Sequence, residues 1–152
     1  MTDTPPVAVL VADDDPDDCL LMREAFHESR LRNPLRFVHD GEQLLHYLRR
    51  HPPYDDDRRY PLPGLILLDL NMPLMDGREA LIEIKNDPRL CMIPVVILTT
   101  SSESEDILGS YASGVNSFIS KPTSFSGLLE VVHTLGHYWL SLVELPDVRP
   151  SP

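Results

Sequence analysis

The sequence is poor in several things, and each shortage excludes a class of protein. It has two cysteines, Cys19 and Cys91, far apart and outside any CxxC or Cys/His spacing. That excludes a disulfide scaffold or a thiolate metal site and predicts free thiols in a reducing compartment. No apolar run approaches the ~20 residues of a membrane-spanning helix. Residues 1–6 carry neither the basic nor the apolar segment of a signal peptide, so the expected location is cytoplasmic. Basic residues are few, 13 Lys and Arg against 24 Asp and Glu, and they are scattered along a chain of net charge −11. A nucleic-acid surface needs clustered cations and is excluded on that ground. There are no internal repeats, and the biased composition at the end is confined to residues 146–152. The 152 residues predict a single domain, 1–152, with a core over about 7–143 and a Pro-rich extension over 144–152. A chain of this size buries about two-thirds of its unfolded surface without staples.

What the sequence does have is a series of short apolar runs that end on reactive side chains. Leu65-Ile66-Leu67-Leu68, next to Pro63-Gly64, reads as a strand buried on both faces, and it ends on Asp69 before Pro73 stops regular structure. Val7–Ala12 is a second such strand and ends on Asp13-Asp14-Asp15. Pro16 suits a first helical position, which makes Asp15 the N-cap and leaves Asp17 and Asp18 to complement the dipole of a helix running toward Leu31. Asp13 and Asp14 have no such structural explanation.

Leu35–His39 predicts another strand, and Gly41–His51 a helix with Leu44, Leu45 and Leu48 on one face. Pro52–Gly64, with four prolines and a charge run, predicts a long surface loop. Arg78 to Asn86 reads as a helix with Ala80, Leu81 and Ile84 inward. Pro94–Leu98 is a buried strand ending on the hydroxyls of Thr99, Thr100, Ser101 and Ser102. Glu103–Ala112 predicts a shorter helix, with Gly114 as its left-handed terminator. Val115–Ser120 is the fifth strand, ending on Lys121-Pro122. A last helix from Ser124 carries an inward stripe of Leu128, Val132, Leu135, Trp139 and Leu142. Tyr138, Leu140, Val143 and Leu145 cannot share that stripe, so apolar surface is left for a partner. Alternating strands and helices imply an α/β fold, a parallel sheet of five strands with helices on both faces.

The strand ends bring Asp13, Asp14, Asp69, Thr99 and Lys121 to one edge of that sheet, where α/β ligand sites lie. Carboxylates so close do not all ionise comfortably. A divalent cation relieves this, and oxygen-only ligands point to Mg²⁺. A hydroxyl and an ammonium opposite the metal suit the oxygens of a transferring phosphoryl group. An aspartate is ionised at neutral pH and needs no general base to attack phosphorus. The chemistry that fits is formation of an aspartyl phosphate on Asp69. None of the six histidines has metal-ligand spacing.

Four motifs in order carry a family resemblance: Ala12-Asp13-Asp14-Asp15-Pro16; Leu68-Asp69-Leu70-Asn71-Met72-Pro73 with Asp76-Gly77; Leu98-Thr99-Thr100-Ser101; and Phe118-Ile119-Ser120-Lys121-Pro122. Over about Val7 to Leu142 the chain resembles the CheY-like receiver domain of two-component response regulators, a (βα)5 flavodoxin-like fold. The resemblance implies Asp69 as phosphoacceptor and Asp14 and Asp69 as direct Mg²⁺ ligands. The Asn71 backbone carbonyl would join them, with Asp13 acting through metal-bound water. It implies Thr99 as the hydroxyl that follows the phosphoryl group and Lys121 as the neutralising cation, with a cis Lys121-Pro122 bond. Phe118 stands at the switch position, often Tyr in relatives; it keeps the volume and loses the phenolic hydrogen bond. Asn71 and Ser101 stand where relatives tune phosphate lifetime.

The implied partner is a sensor histidine kinase that donates from a phosphohistidine. The Pro52–Gly64 loop and the Tyr138–Pro146 ending resemble those of single-domain response regulators partnered with bacterial phytochromes. A twofold homodimer through the fourth helix, fifth strand and fifth helix is expected. Two rival readings use the same residues. One is a haloacid-dehalogenase-type phosphatase, whose motif wants an acid where Asn71 stands. The other is an interaction module on a receiver fold that works without phosphorylation, although such copies typically lose one of the five site residues, all kept in this chain.

Overall fold

The computed structural model describes residues 6–101 and 103–147. Ser102 and residues 148–152 of the Pro-rich end lie outside them. Five parallel strands, β1 (Ala8–Ala12), β2 (Leu35–Val38), β3 (Pro63–Leu68), β4 (Val95–Thr99) and β5 (Ser117–Ser120), form one sheet in the order β2-β1-β3-β4-β5. This is the flavodoxin-like order, whose switch point lies between β1 and β3. Helices α1 (Pro16–Glu28), α2 (Gly41–Leu48), α3 (Gly77–Asn86), α4 (Ser104–Ala112) and α5 (Phe125–His137) follow the strands in turn.

Side-chain alternation along each strand builds two cores, one on each face. Leu10, Ala12, Ile66, Leu68, Val95 and Ile97 pack with α2 and α3 through Leu44, Leu48, Leu81 and Ile84. Val9, Val11, Leu65, Leu67, Val96 and Leu98 pack with α1 and α5 through Met22, Phe26, Val132 and Leu135. The three central strands are buried at every position, as continuous apolar runs require.

The caps follow the sequence. Asp15 accepts from the Asp17 amide, Asp40 from Gln43, Asp76 from Glu79 and Ser124 from Gly127. Gly114 has φ 100°, the left-handed terminator expected after α4.

Three expectations change. Pro63-Gly64 is not the end of the loop before β3 but the strand's first two residues. Proline is tolerated at a strand's first residue, and a bulge between Ala8 and Val9 pairs Ala8 with Pro63 and Val9 with Leu65. Gly64 sits there because a Cβ would press on the Val7 side chain at 2.8 Å.

The α2 helix ends at Leu48, short of His51, with Arg50 left-handed at φ 61°. The segment that follows is less loop-like than its composition: Tyr54 and Tyr60 pack on the core and ring Tyr47, whose hydroxyl donates to the Pro61 carbonyl at 2.7 Å.

The last helix changes pitch. Tyr138–Leu142 is a π turn, closed by Val143 N–H to the Tyr138 carbonyl. The wider turn breaks the 3.6-residue stripe. Val132 and Leu135 are buried as expected, but Leu142 is turned out and 65% exposed.

Candidate functional site

Because parallel strands point the same way, the residues just after β1, β3, β4 and β5 gather on one edge. The backbone pins the two acidic ends together: Asp13 N–H donates to the Val38 carbonyl and Asp69 N–H to the Ala12 carbonyl. After β3 the chain turns tightly into α3, with Gly77 N–H donating to the Leu70 carbonyl at 2.9 Å. Gly77 is required there, since a Cβ would collide with the Asp69 carbonyl oxygen.

The expected set is brought together. Carboxylate oxygens of Asp13, Asp14 and Asp69 lie within 4.8 Å of one another, with Asp13 and Asp69 buried and Asp14 exposed. This arrangement of oxygen donors fits a hard divalent cation. Thr99, fully buried at the end of β4, donates from Oγ1 to Asp69 Oδ1 at 2.8 Å. The Asn71 backbone N–H donates to the same oxygen at 3.1 Å. Lys121 places Nζ 2.7 Å from Asp69 Oδ2 and 2.7 Å from Asp13 Oδ2. The Asp15 N–H occupies the other oxygen of Asp13.

The electrostatics follow from burial. Desolvation raises the Asp13 pKa despite the opposing hydrogen bond from Lys121. Burial alone would depress the Lys121 ammonium, but hydrogen bonds to Asp13, Asp18 and Asp69 outweigh it and raise its pKa. The lysine is therefore a fixed cation at any working pH.

The cis Lys121-Pro122 bond is a correction. The peptide is trans; the cis bond among the described residues is Pro52-Pro53. Trans is the ordinary state of an X–Pro bond, and with it Nζ already reaches its carboxylates.

Phe118 is half-buried and packs on the α2–α3 core. Its ring lacks a phenol, yet its backbone N–H donates to the Tyr111 hydroxyl of α4 at 3.2 Å. Ser101 has its own tie: its hydroxyl donates to Asp106 Oδ2 at 2.5 Å, and Arg78 grips both oxygens of that carboxylate at 2.6 and 2.7 Å. Asn71, Arg78, Thr100, Ser101, Glu103 and Asp106 line a cleft of about 360 Å³ beside the acids.

Sequence reasoning missed Asp18, Arg78, Asp106 and Tyr111. Asp18 was assigned only to the helix dipole, but its Oδ2 lies 2.7 Å from Lys121 Nζ. The available signal was spacing: Asp18 stands four residues after Asp14, one helical turn from the acidic strand end. Arg78 and Asp106 carry no such signal.

The family described as response regulator receiver domain matches residues 9–133. Response regulator Rcp1 of Synechocystis sp. is 38% identical over 142 residues, covering 93% of this chain and 95% of its own. The solved structure of the phosphorylated cyanobacterial phytochrome response regulator RcpA has TM-score 0.87 at 39% identity, covering 94% of this chain and 100% of its own. The Mn²⁺-bound form of Rcp1 has TM-score 0.85 at 37% identity, covering 93% and 100%.

Proposed function

The chain belongs to the response regulator receiver family, and on that premise we propose that it is a single-domain response regulator whose Asp69 accepts a phosphoryl group from a sensor histidine kinase. The observation that carries this is the setting of Asp69: a buried carboxylate with an ammonium on one oxygen and a hydroxyl on the other, beside two further acids.

In the proposed reaction an Asp69 carboxylate oxygen attacks phosphorus, an O–P bond forms and the P–N bond to the donor imidazole breaks. The imidazole leaves with the electron pair and is protonated from solvent. Lys121 balances charge on the phosphoryl oxygens, and Thr99 transfers its hydrogen bond from Asp69 to one of them. Asp14, Asp69 and the Asn71 carbonyl would hold Mg²⁺, with Asp13 reaching it through water, as the family resemblance implies. Bound Mg²⁺ supplies charge neutralisation at the acids and the phosphoryl oxygens. Phe118 follows Thr99 as the switch, and Asn71 and Ser101 flank the phosphoryl group where its lifetime is set.

A chain of this kind is a phosphoacceptor rather than a turnover enzyme. A bacterial phytochrome is the proposed kinase, supported by the near-complete mutual coverage with RcpA and Rcp1. The proposed output surface is α4–β5–α5, where Leu108 and Tyr111 are exposed, continued by Tyr138 and Leu142 of the π turn after α5, and it suits a twofold dimer. Among the described residues no helix is long and apolar enough to cross a membrane.

The test is incubation with acetyl phosphate and Mg²⁺ followed by intact mass. One added phosphate, absent in Asp69→Asn, is the expected result. No adduct would favour a phosphorylation-independent module, and steady turnover of a phosphomonoester would favour a phosphatase.

A further inference from the structure

We propose that Asp18 is a positioning residue for phosphoryl transfer, accepting the third N–H hydrogen bond of the Lys121 ammonium and holding that cation over Asp69. The inference rests on the reading of Asp69 as phosphoacceptor. A lysine ammonium has three N–H donors and no acceptor. All three are used here, at 2.7 Å each, on Asp13 Oδ2, Asp18 Oδ2 and Asp69 Oδ2.

Two of the acceptors sit at strand ends, but Asp18 reaches in from the first turn of α1. It lies outside the set of acids whose oxygens converge for a cation. The N-terminus of α1 does not depend on it, because Asp15 caps the helix and Asp17 adds charge to the same turn. What Asp18 touches is the lysine.

The contact has a consequence for the chemistry. Lysine is a point charge on a flexible four-carbon stem, and two partners at strand ends leave that stem free to pivot. A third partner from a different element fixes the ammonium in three directions. When one Asp69 oxygen becomes the ester oxygen, the Lys121 N–H that pointed at Asp69 turns its hydrogen bond to a phosphoryl oxygen, while Asp13 and Asp18 keep the other two hydrogen bonds. The cation then meets the arriving group without searching for it.

The experiment compares wild type, Asp18→Ala and Asp18→Asn, phosphorylated by acetyl phosphate across a Mg²⁺ titration. Asp18→Ala is expected to be roughly tenfold slower at saturating Mg²⁺, the order set by loss of one charge-assisted hydrogen bond, with half-saturating Mg²⁺ unchanged. Asp18→Asn keeps an acceptor oxygen and is expected to recover most of the rate. Equal rates in all three proteins would overturn the proposal. So would equal acceleration in both variants, which would make Asp18 only one more negative charge.

A second readout needs neither metal nor phosphate: the Lys121 ¹⁵Nζ–H cross-peak, slowly exchanging in wild type and Asp18→Asn and lost in Asp18→Ala. Persistence of that peak in Asp18→Ala would overturn the proposal as well. A wild-type chain that takes up no phosphate while its lysine signal stays sharp would instead overturn the phosphoacceptor reading.

Discussion

Helices α2 and α3 flank the same sheet as α4, and they are held to the molecule in different ways. The first two bury a stripe of Leu44, Leu45, Leu48, Ala80, Leu81 and Ile84 in a continuous apolar core. The only buried residue of α4 is Ser110, and its Leu108 is 71% exposed. What fixes α4 is a small number of polar contacts: Asp106 to Arg78 and Ser101 near its start, and the Tyr111 hydroxyl to β5 near its end. Apolar burial is distributed and fails only when the fold fails. Discrete hydrogen bonds can be exchanged one at a time. The site touches both kinds of support, because Asp69 leads into α3 and Thr99 leads toward α4. One side of Asp69 is thus anchored and the other is tied by contacts that can be released.

The contrast can be broken most forcefully on the anchored side. Ile84→Ala, at a fully buried position, is expected to cost ~2–5 kcal/mol in urea unfolding. A cost under about 1 kcal/mol would mean that α3 is no better anchored than α4. Arg78→Met removes both bonds from the guanidinium to Asp106. It should raise amide exchange across residues 104–112 severalfold while the exchange of β3 and β4 amides stays as in wild type. Uniform protection loss would erase the distinction.

The same pair gives a pH test. Arg78, and then Ser101, hold the Asp106 carboxyl down to about 2, below its ordinary 3.8. A group depressed in the folded state stabilises above its unfolded pKa, and that stabilisation fades as pH falls from about 4 toward 2. Arg78→Met should therefore narrow the stability gap between pH 6 and pH 3 relative to wild type, read from thermal melts. Smaller still is Tyr111→Phe, which removes the acceptor of the Phe118 N–H and should cost on the order of 0.5–1.5 kcal/mol. Leu108→Ser is the lower bound, within about 0.5 kcal/mol, as for exposed positions generally.

The anchored side was also the legible side. Continuous apolar runs at Val7–Ala12, Leu65–Leu68 and Pro94–Leu98 announce central parallel strands, and the residues ending them announce the site. The Asp15 cap was readable because it acts on a residue two positions away. The tied side was not. Arg78 meets Asp106 across 28 residues and Asp18 meets Lys121 across 103, and single charged residues at such separations carry no periodic signal. The π turn at Tyr138–Leu142 escaped because a 3.6-residue stripe continues smoothly through it on paper. The bulge at Gly64 escaped because Pro-Gly reads as a stop whether or not a strand has already begun.

The tyrosine triad of Tyr47, Tyr54 and Tyr60, with ring centroids 4.9 to 5.9 Å apart, has a practical consequence for anyone altering this chain. The stretch between α2 and β3 looks dispensable in composition, the sort of place to trim or to insert a tag. Two of its side chains are instead rivets through the wall of the domain, and a deletion there would open a hole in the hydrophobic interior rather than shorten a tether.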